Sequence, residues 1–207
     1  YAIGLIMFGP LADKKSRRAM VFFGLSGFVL ASFLLPFSQS IEEFQGIRFV
    51  QAFISSAATV VVPGTIRELY GKNTAKGLSY VSMIMMVAPM IAPAIGSVLL
   101  ISLNWQSIFW SLGLYALLIL VLAIVYLPES KREKPKNSVS FIQRYKLVFC
   151  NKPARFDLLT SMIISLAFFA YITAIPFVYL TVFGVSEMEF SLLFAINIVA
   201  LMTSHFI

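Results

Sequence analysis

The sequence predicts an all-α membrane protein that crosses the bilayer several times, and three observations carry that expectation. Of its 207 residues, 59% are apolar and only 12% charged, against about 25% charged in a soluble domain. The apolar residues are gathered into long blocks, each near the ~20 residues a helix needs to cross ~30 Å of hydrocarbon. The cationic residues fall in alternate gaps between these blocks. A segment in lipid finds no water for its amides, and apolar blocks of this length satisfy them internally as helices. A soluble globular domain is excluded.

Taken in order, an opening apolar piece ends near Leu11. Whole spans are expected at about 19–36, 44–62, 78–103, 108–127 and 156–177. A last piece begins near Ser186, where Ser186-Glu187-Met188-Glu189 has capping-box spacing. Its hydroxyl can take the third amide of a helix while the Glu reaches back to the serine amide. Both ends of the chain lie inside apolar runs, so the expectation is a portion of a longer protein. No signal peptide is recognisable. The lone Cys150 excludes an intrachain disulfide.

Charge sets the expected orientation. Lys14, Lys15, Arg17 and Arg18 precede the first whole span, and Arg67, Lys72 and Lys76 precede the third. Eight more, from Lys131 to Arg155, occupy the stretch before the fifth. Together these are 15 of the 16 Lys and Arg. The gaps near Ser38, Asn104 and Gly184 have none. Short basic loops resist translocation, so the three basic ones are expected on the cytoplasmic side. The net charge of +7 is thus a topology signal, and no nucleic-acid partner is expected.

With a cytoplasmic amino terminus, one helix would precede the opening piece, and the long basic stretch would follow helix six. Two bundles of six helices joined by a cytoplasmic linker match the layout of many transporters. The expected division is 1–127 for helices 2–6 of an N-terminal bundle, 128–153 for the linker, and 154–207 for helices 7–8. Within the linker, Phe141, Ile142, Tyr145, Val148 and Phe149 recur at helical spacing, so a short interfacial amphipathic helix is expected.

Specific motifs sharpen this. Gly9-Pro-Leu-Ala-Asp13-Lys-Lys-Ser-Arg17-Arg18 resembles the G-x-L-a-D-r-x-G-R-R signature between helices two and three of the major facilitator superfamily. Arg48-Phe-Val-Gln51 is similar to the R-x-x-Q of helix four, and Arg67-Glu68 stands where relatives commonly have Arg-Asp. Ala88-Pro89 through Pro93 to Gly96 resembles the antiporter motif of helix five. Trp105-Gln-Ser-Ile-Phe109 resembles W-R-x-I-F, and Leu127-Pro-Glu-Ser130 resembles L-P-E-T/S. Tyr171 to Phe177, with Phe183-Gly-Val-Ser186, points to the Bcr/CflA drug-resistance subfamily. Departures are Ser16 for Gly, Ala52 for Gly, Glu68 for Asp and Gln106 for Arg.

The resemblance implies a major facilitator fold, part of helix 2 to part of helix 8, and a set of candidate residues. Arg48 and Gln51 are the transport and coupling candidates. Arg48 is the one Lys or Arg inside an expected span, and holding it there costs ~2.5–3.5 kcal/mol. Ala52, Ser55 and Thr59 continue its face with small and polar groups. Snorkelling to the nearby interface is the alternative reading. Gly9, Asp13, Arg17, Arg18 and Glu68 are the conformational-latch candidates; the alternative is a solvated loop serving topology alone. Asp13 and Arg17 can pair at four-residue spacing only if the turn between them is helical. Pro89, Pro93 and Gly96 form the antiporter-type motif, with a packing kink as the alternative.

No catalytic residue or metal site is expected. His205 lacks a second ligand nearby, Cys150 lacks a base, and no phosphate-binding loop appears. No cofactor is expected; the partners are a small-molecule substrate, protons and lipid, for a monomer. The expected function is export of drugs or other small amphipathic solutes by proton antiport with alternating access, in a bacterial inner membrane. The alternatives are a facilitator-type carrier importing or exporting a metabolite, and a membrane protein with no transport activity.

Overall fold

The computed structural model describes residues 1–127 and 141–204; the stretch 128–140, His205 and the side chains of Asp13 and Pro89 lie outside the described residues. Nine α-helices follow one another among those residues. They are α1 (Ala2–Lys14), α2 (Arg17–Leu34), α3 (Ile41–Thr59), α4 (Val62–Tyr70), α5 (Thr74–Ser102), α6 (Trp105–Tyr126), α7 (Phe141–Cys150), α8 (Lys152–Phe177) and α9 (Glu187–Ser204). The chain divides into two compact units, Tyr1–Lys134 and Pro135–Ile207.

Short polar side chains set the helix starts. Ser16, Ser40 and Asn104 accept the amides of Ala19, Glu43 and Ser107 at the heads of α2, α3 and α6. Asn151 accepts the Ala154 amide at the head of α8. Each cap satisfies an amide that has no carbonyl within its own helix. Ser16 therefore gains a local role where the motif has Gly. The capping box at α9 forms as expected: the Glu189 amide reaches Ser186 Oγ at 3.3 Å, and the Ser186 amide reaches Glu189 Oε2 at 2.8 Å.

The five expected whole spans correspond to α2, α3, α5, α6 and α8. By length and hydropathy, the qualifying stretches among the described residues are Arg17–Phe37, Ile41–Met85, Trp105–Tyr126 and Lys152–Val182. The second of these runs through α3 and α4 into α5, whose remainder is the shorter apolar stretch Ile91–Ser102. Whole, α5 has 29 residues, about 43 Å of helix.

Two details differ from the sequence expectation. The basic stretch with Arg67 is helical, as α4, because Pro63 occupies its first turn, where a missing amide hydrogen costs nothing. The turn between Asp13 and Arg17 is not helical. Lys15 and Ser16 are both extended, so the four-residue pairing geometry does not apply.

In the first unit α2 is the central element, packed most extensively on α3 and α6, while α1 packs on α3. Phe8, Met20, Ala57 and Val61 form the buried cluster joining α1, α2 and α3. Small residues allow the helices to touch. A Cβ on Gly24 would lie 2.6 Å from the Ala58 amide nitrogen, and one on Gly4 would lie 2.7 Å from the Phe53 carbonyl oxygen. In lipid, where apolar burial gives no net drive to helix association, such backbone approach and its dispersion contacts hold helices together. In the second unit α7 packs on α8. Past Pro176, α8 gives way to a π-helical turn at Val178–Val182, and the chain reverses through Gly184 at φ 67°.

Gly24→Leu is expected to destabilise the purified full-length protein by about 1–3 kcal/mol, the usual range for overpacking. Gly46→Ala, where a Cβ meets nothing within 4 Å, is expected to be neutral. Thermal unfolding in detergent checks both, and equal melting temperatures for the two variants would contradict the α2–α3 contact.

Candidate functional site

Arg48 and Gln51 lie three residues apart on α3 and so share a face. Gln51 is only 2% exposed, and Ser32, opposite it on α2, is fully buried. Burial of two polar side chains in an apolar bundle demands partners, and each has them. Arg48 Nη1 donates to Gln51 Oε1 at 2.8 Å. Gln51 Nε2 donates to Ser32 Oγ at 2.8 Å, with a longer approach of 3.4 Å to the Phe28 carbonyl. The Ser32 hydroxyl in turn donates to the Phe28 carbonyl at 2.8 Å. The chain of donors has one direction. An arginine can only donate, so Gln51 must turn its oxygen toward Arg48 and its amide hydrogens toward Ser32.

A second contact holds the guanidinium from α6: its central carbon lies 5.4 Å from the centre of the Phe109 ring. That ring stacks edge-on with Phe44 and Trp105. Arg48 is nonetheless exposed in this chain, and no carboxylate pairs with it among the described residues. Of the small face expected to follow it, Ala52 and Ser55 are half-buried and Thr59 is exposed. The Ser55 hydroxyl turns back to the Ala52 carbonyl at 3.2 Å.

The latch candidates separate into distinct contacts. Arg17 is buried at the head of α2, where Nη1 lies 2.6 Å from Glu68 Oε2 on α4. The approach is ionic: the N–H bond is not aimed along the line between the two atoms, and Nη1 makes no well-aligned hydrogen bond among the described residues. The same guanidinium lies over Gly64, where a Cβ would sit 3.0 Å from Nη2. Arg18 turns to α6 instead and donates from Nη2 to the Ile124 carbonyl at 2.8 Å. Gly9 lies within α1, one residue before Pro10. In the antiporter-type motif, Pro93 and Gly96 are half-buried, and a Cβ on Gly96 would meet nothing within 4 Å.

Ser32, the Phe28 carbonyl and Phe109 were not among the sequence candidates. The available signal was a hydroxyl in an apolar helix, one of the two serines of α2, four residues beyond the carbonyl it bonds. Among the described residues no cluster of three His, Cys, Asp or Glu could hold a metal ion.

The family model for the Major Facilitator Superfamily matches residues 1–207. The chain belongs to this superfamily. That facilitator chain is 27% identical over 210 residues to a bicyclomycin resistance protein homolog of Haemophilus influenzae, covering 100% of this chain and 53% of the relative. It is 32% identical to a chloramphenicol resistance protein of Pseudomonas aeruginosa, covering 96% of this chain and 47% of the relative. It is 24% identical to the multidrug resistance protein MdtL of Escherichia coli, covering 99% and 52%. The chain thus spans about half the length of the curated relatives it matches. Facilitators are transporters, and the helices described here are those of a multi-pass membrane protein.

The Arg17–Glu68 pair joins a buried cation to a carboxylate side chain that is 42% exposed, so solvent screening limits its worth. A double-mutant cycle of Arg17→Gln and Glu68→Gln, read by thermal unfolding, is expected to give a coupling under ~1 kcal/mol. A coupling above ~3 kcal/mol would instead indicate a desolvated pair.

Proposed function

We propose that the intact protein is a proton-coupled exporter of drugs or similar small amphipathic solutes, working by alternating access as a monomer in a bacterial inner membrane. In this reading residues 1–127 are helices 2–6 of the N-terminal bundle and residues 154–207 begin the second bundle with helices 7 and 8. The stretch 128–153 is a cytoplasmic linker. The observation that carries the reading is the arginine held within a span by a buried amide and hydroxyl, in a facilitator whose relatives are named for drug resistance. A cation in this position is costly, and chains retain one where it handles charge.

Arg48 stays protonated across physiological pH, so it does not carry the proton itself. It acts on a carboxylate brought next to it, stabilising the ionised form and lowering its pKa. Substrate arrival that displaces the carboxylate would then change its proton affinity. Gln51 fixes where the guanidinium points. At the other end of α3, the Arg17–Glu68 pair, with Gly9, Asp13 and Arg18, belongs to the latch that biases the two access states. Pro89 and Pro93 each remove an amide hydrogen from α5, weakening the helix locally and supporting the seal that favours exchange over leak.

Drug-induced proton flux in vesicles containing the full-length protein tests this. Arg48→Ala is expected to insert normally and lose nearly all proton-driven efflux. Arg48→Lys keeps charge but loses the planar multidentate donor, and retains only part of the flux. Wild-type coupling in Arg48→Ala would return this residue to a snorkelling surface cation. Saturable flux of a metabolite in place of drugs would assign the protein to a different facilitator class.

A further inference from the structure

Helix α6 ends at Tyr126 and is followed by Leu127-Pro128. In an α-helix the carbonyl of residue 124 takes its hydrogen bond from the amide of residue 128. Residue 128 is proline, which has no amide hydrogen. The nearest preceding amide, that of Leu127, is already bonded to the Ala123 carbonyl at 3.0 Å. The Ile124 carbonyl is therefore deprived of its ordinary donor by the sequence itself, at the end of a helix whose dipole places partial negative charge there.

Arg18 supplies the missing donor, 106 residues away in the chain, with Nη2 at 2.8 Å from that carbonyl oxygen. Its guanidinium carbon lies 5.3 Å from the centre of the Phe22 ring, one turn along α2. Nε is buried and has no hydrogen-bond partner among the described residues, so the group is docked against protein rather than extended into water. A positive, hydrogen-bonding group at a helix C-terminus is favourable through both the bond and the dipole.

We propose that Arg18 is a positioning residue: a C-cap supplied in trans to α6, made necessary by Pro128, which fixes the last turn of α6 to the first turn of α2. The paired arginines thus divide their work. Arg17 ties the head of α2 to α4, and Arg18 ties it to the point where the connecting stretch 128–140 leaves α6. This inference is independent of the transport reading, because it concerns protection of a helix end and not flux.

Hydrogen exchange of the full-length protein in nanodiscs, followed on the amides of residues 124–127, tests it. Arg18→Gln is expected to speed their exchange roughly tenfold, as loss of a charge-assisted hydrogen bond would, and Arg18→Lys by less. Leu127 is extended, with ψ 110°, as the residue before a proline tends to be. Pro128→Ala both restores an amide hydrogen and lifts that bias, so the helix can run one residue further and close on the Ile124 carbonyl. In that background Arg18→Gln is expected to change exchange by less than about twofold. An equal increase whether residue 128 is Pro or Ala, or no increase in either, would overturn the proposal. If Arg18→Gln alone does not accumulate, recovery by Pro128→Ala supports the cap and failure to recover contradicts it.

Discussion

Everything in this chain follows from one constraint: hydrocarbon offers no hydrogen-bond partner. Backbone amides are satisfied by running the apolar blocks as helices. Their first amides are closed by Ser16, Ser40, Asn104, Asn151 and Ser186. Where a side chain is polar and deep, it arrives with partners already in place, as Gln51 does with Ser32 and the Phe28 carbonyl. The polar network and the helical architecture are therefore two responses to the same solvent.

Helix α2 makes the most varied use of that constraint. Its head presents two arginines to two different neighbours, Glu68 on α4 and the Ile124 carbonyl on α6. Its middle brings Gly24 against the backbone of α3. Its far end carries Ser32, which anchors Gln51 and through it Arg48. A displacement of α2 would thus reach the guanidinium in α3 and the two ends of neighbouring helices together. In the proposed mechanism, this lets the coupling and latch candidates of the first unit respond together.

Much of this was legible in the sequence, for physical reasons that differ by element. Spans such as α6 and α8 declare themselves by composition, since apolar length alone decides whether a helix can cross. The α9 capping box was legible because it involves two residues three apart. Arg48 stood out because cations are rare in spans. What escaped was whatever depended on contacts between segments distant in sequence. Nothing local marks Ser32 as the partner of Gln51, or Phe109 as the ring beneath Arg48. The helical state of 62–70 was obscured by Arg67, and by Lys72 and Lys76 just beyond it, which report topology and not conformation. The partners of Arg17 and Arg18 lie about 50 and 106 residues away, beyond the reach of periodicity.

The central claim is that a buried amide, anchored across two helices, aims Arg48 for coupling. Drug-induced proton flux by full-length Gln51→Leu in vesicles tests it most directly, because leucine preserves approximate volume but cannot accept from the guanidinium or donate to Ser32. The account requires flux to fall to the level of Arg48→Ala, with insertion intact and Ser32→Ala intermediate. Wild-type flux in Gln51→Leu would contradict it.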